Sequence, residues 1–339
     1  MGKKVRIGLL GGGRIGKLHG ANLQNSVPGA EVVVLADPFL NDSMKEWAES
    51  IGIPKCTKDP DEVFADPDVD AVFICSSTNT HADFIMKAAK AGKDIFCEKP
   101  IDTDIARIKE CIEAVKKAGV KMQVGFVRRF DHNHKAVHDA VASGKLGKTY
   151  VVKVTSRDPA GPAMSYIAVS GGIFMDMTIH DFDMVRYLAG SEVTEVTAIG
   201  AVLTDPGYAE YGDVDTAIIT LKFANGAIGV IDNCRTAPYG YDQRVEVHCE
   251  KGCVRDENDL NNTMQMLTGD DVESAKPTWF FLERYNDAFI DETKQFIDCI
   301  QNDKEVPVGG EDGLESVRIA YAAGKSLKEG RTVKLSEIE

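Results

Sequence analysis

The chain has 339 residues, enough for two domains that each bury a core. Its formal net charge is −14, from 39 Lys and Arg against 53 Asp and Glu. Nucleic acids and anionic membranes attract basic surfaces, so this balance argues against either as the main partner.

No apolar run approaches the roughly 20 residues that a membrane span needs, and the apolar start at 5–10 is too short for a secretory signal. We therefore expect a cytoplasmic protein. The eight cysteines are scattered and form no CxxC pair, which favours buried free thiols over zinc or redox chemistry.

The first part of the chain alternates strand-like apolar runs with helical patterns. Strands are predicted at 5–10, 31–36, 71–75, 94–97 and 121–124. Helices are predicted from Arg14, from about Asp42, from His81 and across 104–118. This alternation is typical of a doubly wound parallel sheet with right-handed crossovers, the α/β class.

The pattern changes towards the middle of the chain, so we predict domains at 1–123 and 124–339. Long strands are predicted at 150–157, 195–203, 216–223 and 227–232, with an Asn225-Gly226 hairpin turn. Helices are predicted at 281–301 and 311–327. The second domain is thus expected to be α+β, with a large open, mostly antiparallel sheet.

A glycine-rich motif, Gly11 to Gly16, follows the first predicted strand and opens a helix. It fits GxGxxG, in which glycines let the backbone approach a pyrophosphate and helix N–H groups near Arg14 and Ile15 face its charge. The next strand leads to Asp37, a carboxylate suited to a ribose diol and repulsive to a 2′-phosphate. We predict a Rossmann domain that binds NAD.

Two further loops follow predicted strands at the carboxyl edge of this sheet, where ligands bind. The loop with Ser76, Asn79 and His81 either caps a helix or lines the cofactor. Glu98-Lys99-Pro100 places a lysine where it supplies a cation to a developing alkoxide, although such a lysine is more often a surface group.

The stretch 171–184 concentrates Asp176, His180, Asp181 and Asp183. A helix from about Ser170 places Asp176 and His180 one turn apart, where a carboxylate orients a general base. A helix from Thr178 instead makes Asp181 a capping residue. We favour the longer helix because its apolar stripe begins earlier, expect Asp181 to be a cap or solvated, and expect no metal site.

Other polar residues have simpler interpretations. His134 and His138 are expected to be solvated, and Tyr285 to be an ordinary half-buried helix residue. The Arg128-Arg129 pair is either surface charge or a clamp on a hydroxyl-rich or carboxylate substrate.

Several motifs together resemble the Gfo/Idh/MocA oxidoreductase family. They are GGGRIG with His19, the loop ending in His81, CEKP, GFVRRFD and GGIFMDMTIHDFD. SRDP at 156–159 and YGYD at 239–242 resemble the inositol dehydrogenase branch of that family. The resemblance runs nearly end to end.

The resemblance implies NAD-dependent oxidation of a secondary ring hydroxyl of a polyol such as inositol, commonly in a homotetramer, with substrate and nicotinamide meeting between the domains. Its residues are, as catalytic groups, Lys99, Asp176 and His180; as cofactor contacts, Gly11, Gly13, Arg14, Ile15, Gly16, Asp37, Ser76, Asn79, His81 and Glu98; and as substrate contacts, Arg129, Asp158, Asp183 and Tyr239. The alternatives are a pyranose dehydrogenase or reductase, a relative that cleaves glycosides with bound NAD, and a non-catalytic NAD-binding protein.

Overall fold

The computed structural model describes residues 4–339. They form two compact units, each made of two stretches of chain. The first unit is the chain up to Val127 with Asp287–Glu315, and the second is Arg128–Asn286 with Ser316–Glu339.

The first unit contains a parallel sheet of six strands. They are β1 Val5–Leu10, β2 Ala30–Ala36, β3 Cys56–Thr57, β4 Ala71–Ile74, β5 Asp94–Glu98 and β6 Met122–Gly125, in the order β3-β2-β1-β4-β5-β6. Its helices are α1 Arg14–Asn25, α2 Asp42–Ser50, α3 Asp61–Ala65, α4 His81–Lys90 and α5 Ile105–Ala118. This confirms the predicted doubly wound sheet.

The strand order reverses at β1, which pairs with β2 on one side and β4 on the other. Ligands bind open α/β sheets at the carboxyl ends of strands beside such a reversal. Apolar side chains fill the core beneath: the rings of Phe73 and Phe96 stack with centroids 4.6 Å apart, and Phe296 from a later helix packs against both.

The second unit contains a mixed sheet of seven strands and a separate two-stranded hairpin. The strands in chain order are β7 Thr149–Arg157, β8 Val193–Ala201, β9 Thr216–Phe223, β10 Ile228–Cys234, β11 Asp242–Cys249, β12 Gly252–Arg255, β13 Gln265–Leu267, β14 Val272–Ser274 and β15 Val333–Lys334, and β13 and β14 form the hairpin. The order in the large sheet is β12-β11-β7-β10-β9-β8-β15, and only its β7–β10 pair is parallel. The predicted large, mostly antiparallel sheet is confirmed.

The remaining helices are α6 His132–Ala142, α7 Met164–Ser170, α8 Gly172–Asp176, α9 Ile179–Ala189, α10 Gly207–Glu210, α11 Phe281–Arg284, α12 Asn286–Gln301 and α13 Gly310–Glu329. Within residues 4–339, none is long and apolar enough to cross a membrane. The Asn225-Gly226 turn joins β9 and β10 as predicted, with Gly226 at φ +87°. All eight cysteines are free.

The preferred continuous helix from about Ser170 is wrong. Gly171 and Gly172 have φ of +82° and +83°, so they separate α7 from α8. Thr178 then separates α8 from α9, because its hydroxyl donates to the side chain of Asn233 at 2.5 Å and lies 3.2 Å from the carbonyl of Ile173. The predicted helix 281–301 is likewise divided at Tyr285.

Candidate active site

The glycine-rich turn between β1 and α1 is shaped to admit a phosphate group. Gly11 has φ +104°, a conformation that side chains disfavour, and a Cβ on Gly16 would lie 1.9 Å from the carbonyl oxygen of Gly11. A Cβ on Gly13 would meet nothing within 4 Å, so that side of the turn is open.

Helix α1 presents its N-terminus at the same turn. It has neither a side-chain cap nor an acidic residue in its first turn, which contains Arg14 and Ile15. The positive end of α1 is therefore available to bind an anionic ligand. The pyrophosphate of a dinucleotide is such a ligand and suits this glycine turn.

Asp37, just past β2, is tied to the same turn. It is 8% exposed, and its Oδ2 accepts the N–H of Gly12 at 2.7 Å while Oδ1 accepts that of Phe39 at 2.8 Å. The carboxylate is thus fixed beside the glycines, where a ribose attached to the pyrophosphate would lie.

The loop after β4 is joined to the loop after β5 through His81. Its ring contacts the carbonyl oxygens of Pro100 at 2.8 Å and Ser76 at 3.0 Å. The Ser76 and Thr80 hydroxyls lie 2.6 Å apart, and Asn79 is exposed. His81 and Ser76 therefore have hydrogen-bond partners within these two loops. Their contacts with the cofactor stay predictions.

The carboxyl end of β5 carries Glu98 and Lys99, both half-buried. Glu98 Oε1 lies 2.8 Å from Nε2 of His19, a fully buried side chain of α1. Lys99 precedes Pro100 in the loop that His81 contacts. The predicted lysine is therefore held between two anchored neighbours, at the sheet edge that binds the cofactor.

In the second unit, Asp176 ends α8 and has two fixed partners. Its Oδ1 accepts the hydroxyl of Tyr166 at 2.8 Å, and Oδ2 accepts Nη1 of Arg235 at 3.1 Å. Sequence reasoning missed both partners. Arg235 directly follows β10, and a charged residue three positions beyond the predicted strand 227–232 was the available signal. His180 lies in the first turn of α9.

Asp158 lies just beyond β7, and its backbone N–H bonds to the carbonyl of Cys234. Burial raises the pKa of its carboxyl to about 6. The nearby guanidinium groups of Arg235 and Arg128 lower this pKa, whereas the carboxylates of Asp176 and Asp181 raise it. Acids and arginines are thus concentrated where substrate contacts were predicted.

Asp181 is not a cap or a solvated residue, and that prediction is wrong. It is 0% exposed and accepts Nη1 of Arg128 at 2.5 Å and the amide of Asn233 at 2.9 Å. Thr178, the N-cap residue of α9, makes no side-chain cap. Arg128 further contacts Ser156 and Tyr241, so it is a buried structural cation.

The neighbouring Arg129 and Asp183 form a second pair. Nε of Arg129 donates to Oδ2 of Asp183 at 2.7 Å, and Nη2 donates to Oδ1 at 2.5 Å, a bidentate arrangement. Asp183 is 1% exposed. Both were predicted to contact substrate, a role that stays a prediction.

Tyr239 is 40% exposed in the second unit. Its hydroxyl donates to Asp242 at 2.6 Å and accepts Nη1 of Arg157 at 3.1 Å. The phenol is therefore oriented by two charged groups at an accessible edge, and its contact with substrate stays a prediction.

His134 and Tyr285 are both buried, which corrects two predictions. His134 is 2% exposed, with Nδ1 2.5 Å from Asp256, and Tyr285 is 1% exposed. His134 lies close enough to Asp131 and Asp256 to share a cation, but Arg284 already bonds to Asp131. His138, which was also expected to be solvated, stacks on Tyr187 with ring centroids 3.7 Å apart.

A doubly wound sheet whose glycine turn, bare helix end and fixed aspartate converge defines a dinucleotide-binding protein. Family models agree with this class: residues 5–126 match the NAD-binding Rossmann domain of the Gfo/Idh/MocA oxidoreductases, and residues 138–335 match their C-terminal alpha/beta domain. The chain belongs to the Gfo/Idh/MocA oxidoreductase family, and NAD is its cofactor.

Similar proteins span the whole chain. The chain is 47% identical to the myo-inositol 2-dehydrogenase of Thermotoga maritima, covering 98% of this chain and 99% of that one. It is 44% identical to the inositol 2-dehydrogenase of Rhizobium meliloti, with the same coverage. The scyllo-inositol dehydrogenase of Lactobacillus casei with NAD(H) and scyllo-inositol bound superimposes with a TM-score of 0.91, at 30% identity, covering 98% and 100% of the two chains.

Proposed function

We propose that the protein oxidises a secondary ring hydroxyl of an inositol, myo- or scyllo-inositol, to the corresponding inosose with NAD. The relatives named above act on inositols according to their names, and they match this chain over nearly its full length. The observation that carries the proposal is the grouping of Asp158, Asp176 and Arg235 in the second unit. A neutral polyol has no charge to anchor it, so its recognition needs many oriented polar groups.

In this proposal His180 removes the hydroxyl proton as general base. Asp176 orients His180 and balances the charge it gains, a pairing that rests on the family resemblance because the continuous helix is absent, while the position of Asp176 is fixed by Tyr166 and Arg235. Lys99 stabilises the alkoxide with its ammonium group. NAD, held at the glycine turn and Asp37, supplies the hydride acceptor when bound.

The test is NADH production. Purified protein with NAD and myo- or scyllo-inositol should show rising NADH absorbance. K99A and H180A should lose most of kcat, because each removes a group that acts in the transition state, while the Kd for NAD stays unchanged. Full activity in either variant would contradict the assigned roles.

A substrate panel distinguishes the alternatives. NADH formation with pyranoses and none with inositols would identify a sugar dehydrogenase. Turnover of glycosides without net NADH would identify NAD-assisted cleavage. NAD binding without any turnover would identify a non-catalytic protein.

A cytoplasmic location and a homotetramer are further parts of the proposal. They rest on the sequence and on family resemblance. The oligomeric state has support in the second unit, where one face of the sheet exposes apolar side chains.

A further inference from the structure

A buried acid in the first unit has no part in the mechanism proposed above. Glu292, on α12, is 0% exposed. Within residues 4–339, neither of its carboxyl oxygens has a hydrogen-bond partner. The following turn of α12 packs Phe296 and Ile297 into the core, so the helix holds Glu292 inside the unit.

Other buried polar groups surround it. Nε2 of Gln123 donates to the backbone carbonyl of Glu292 at 3.1 Å. The His19 ring packs edge-on against Phe289, one turn before Glu292, and bonds to Glu98. Oε1 of Gln123 and Nδ1 of His19 are buried and have no partner within the described chain. We call His19, Glu98, Gln123 and Glu292 the Glu292 cluster.

The charges of this cluster disfavour a second anion. The negative charge of Glu98, at the end of β5, acts on Glu292, and His19 from α1 is already bonded to Glu98. Cys75, just past β4, is a buried thiol rather than a cation. Burial first, and then Glu98, raise the pKa of Glu292 well above its usual value. A buried carboxylate without a cation is costly, and protonation removes that cost.

We propose that Glu292 is a neutral carboxylic acid that positions Glu98 and, through it, Lys99. With Glu292 uncharged, Glu98 can hold the single negative charge of the cluster and keep its bond to His19. If both acids were ionised, their repulsion would displace Glu98, and Lys99 follows it directly in the chain. Glu292 is therefore a positioning residue. Its effect on Lys99 rests on the function proposed above, whereas its protonation does not.

The first experiment detects the proton directly. Infrared spectra of the wild type, E292Q and D291N are recorded at pH 8 without substrate. We expect a carbonyl stretch from a protonated carboxyl group in the wild type and in D291N, and its loss in E292Q. Asp291 is the matched control because it is exposed on the same helix. Asp158, with a pKa of about 6, is ionised at this pH. No such band in the wild type, or a band of unchanged intensity in E292Q, would overturn the proposal.

The second experiment tests positioning. E292Q and E292L both remove the ionisable group, so the kcat of each should stay within about twofold of the wild type at pH 8 with an unchanged Kd for NAD, and neither should show the loss of kcat that ionisation of Glu292 causes in the wild type at higher pH. A loss of kcat at high pH that is the same in the wild type and in E292Q would contradict positioning. If E292L does not fold, E292Q decides: a tenfold lower rate than the wild type at pH 8 overturns the proposal. A wild type that is inactive on inositols would contradict the proposed function. The infrared result would then still test whether Glu292 is protonated.

Discussion

At the residue scale, the Arg128–Asp181 pair is a buried ion pair whose loss should be costly. D181N leaves the guanidinium of Arg128 without its anion, so we expect a loss of about 3–5 kcal/mol in the free energy of unfolding. Urea denaturation of the purified variant measures it.

The control is D139N. Asp139 pairs with Lys135 on the exposed face of α6, and such surface pairs contribute about 1 kcal/mol or less. Equal losses in D181N and D139N would show that the buried pair has no special role in stability.

Asp158 should make stability depend on pH. Its pKa is about 6 in the folded protein, against 3.8 for an ordinary aspartate, so between these values only the folded state keeps the proton. The contribution of Asp158 to the free energy of unfolding of the wild type therefore falls as the pH rises from about 4 to about 6, and then levels off. The side chain at position 158 cannot ionise in D158N. The Tm of this variant minus the Tm of the wild type should therefore rise over the same pH range. A difference in Tm that is constant with pH would refute the raised pKa.

At the element scale, the turn between β1 and α1 allows folding and cofactor binding to be separated. G13A should fold normally, because its Cβ meets nothing within 4 Å, but should weaken NAD binding by at least about tenfold by blocking the pyrophosphate. G16A should itself be destabilised, since its Cβ would lie 1.9 Å from a carbonyl oxygen.

Thermal melts and NAD titrations of the two variants check this. A normal Kd for NAD in G13A would contradict the assignment of the open side of the turn to phosphate. An unchanged Tm in G16A would contradict the close packing.

The helices of the second unit show where local patterns mislead. The apolar stripe from Ile173 favoured one long helix, yet the chain forms α8 and α9 with Thr178 between them. The bond from Thr178 to Asn233 on β10 decides the break, and it joins residues 55 positions apart. Periodicity within a window of the sequence cannot contain such a contact.

At the scale of the whole molecule, we expect self-association through the sheet of the second unit. Along β9, side chains alternate between a buried face and an exposed one. The exposed face carries Ile199, Ile218 and Ile228, at 73%, 42% and 52% exposure, and Ile199 is paired with Ile218 in register. Apolar residues exposed together on neighbouring strands are typical of an interface.

Light scattering of the purified protein should therefore give the mass of an oligomer, and I199D with I218D should lower it. L203D is the control, because Leu203 is 72% exposed but lies beyond β8. A monomeric wild type would contradict the expected oligomer.

Sequence patterns were enough to predict the two kinds of sheet, the glycine turn with Asp37, and the position of Lys99 at a strand end. These features depend on strand and helix periods and on turn chemistry, which are local properties of the chain. Folding is needed to bring Asp181 to Arg128 and to place Arg235 and Tyr166 on Asp176. It also buries Glu292 in the first unit. Each of these depends on burial or on a partner brought close by folding. A side chain's charge state and role follow from that environment, which its sequence neighbours do not contain.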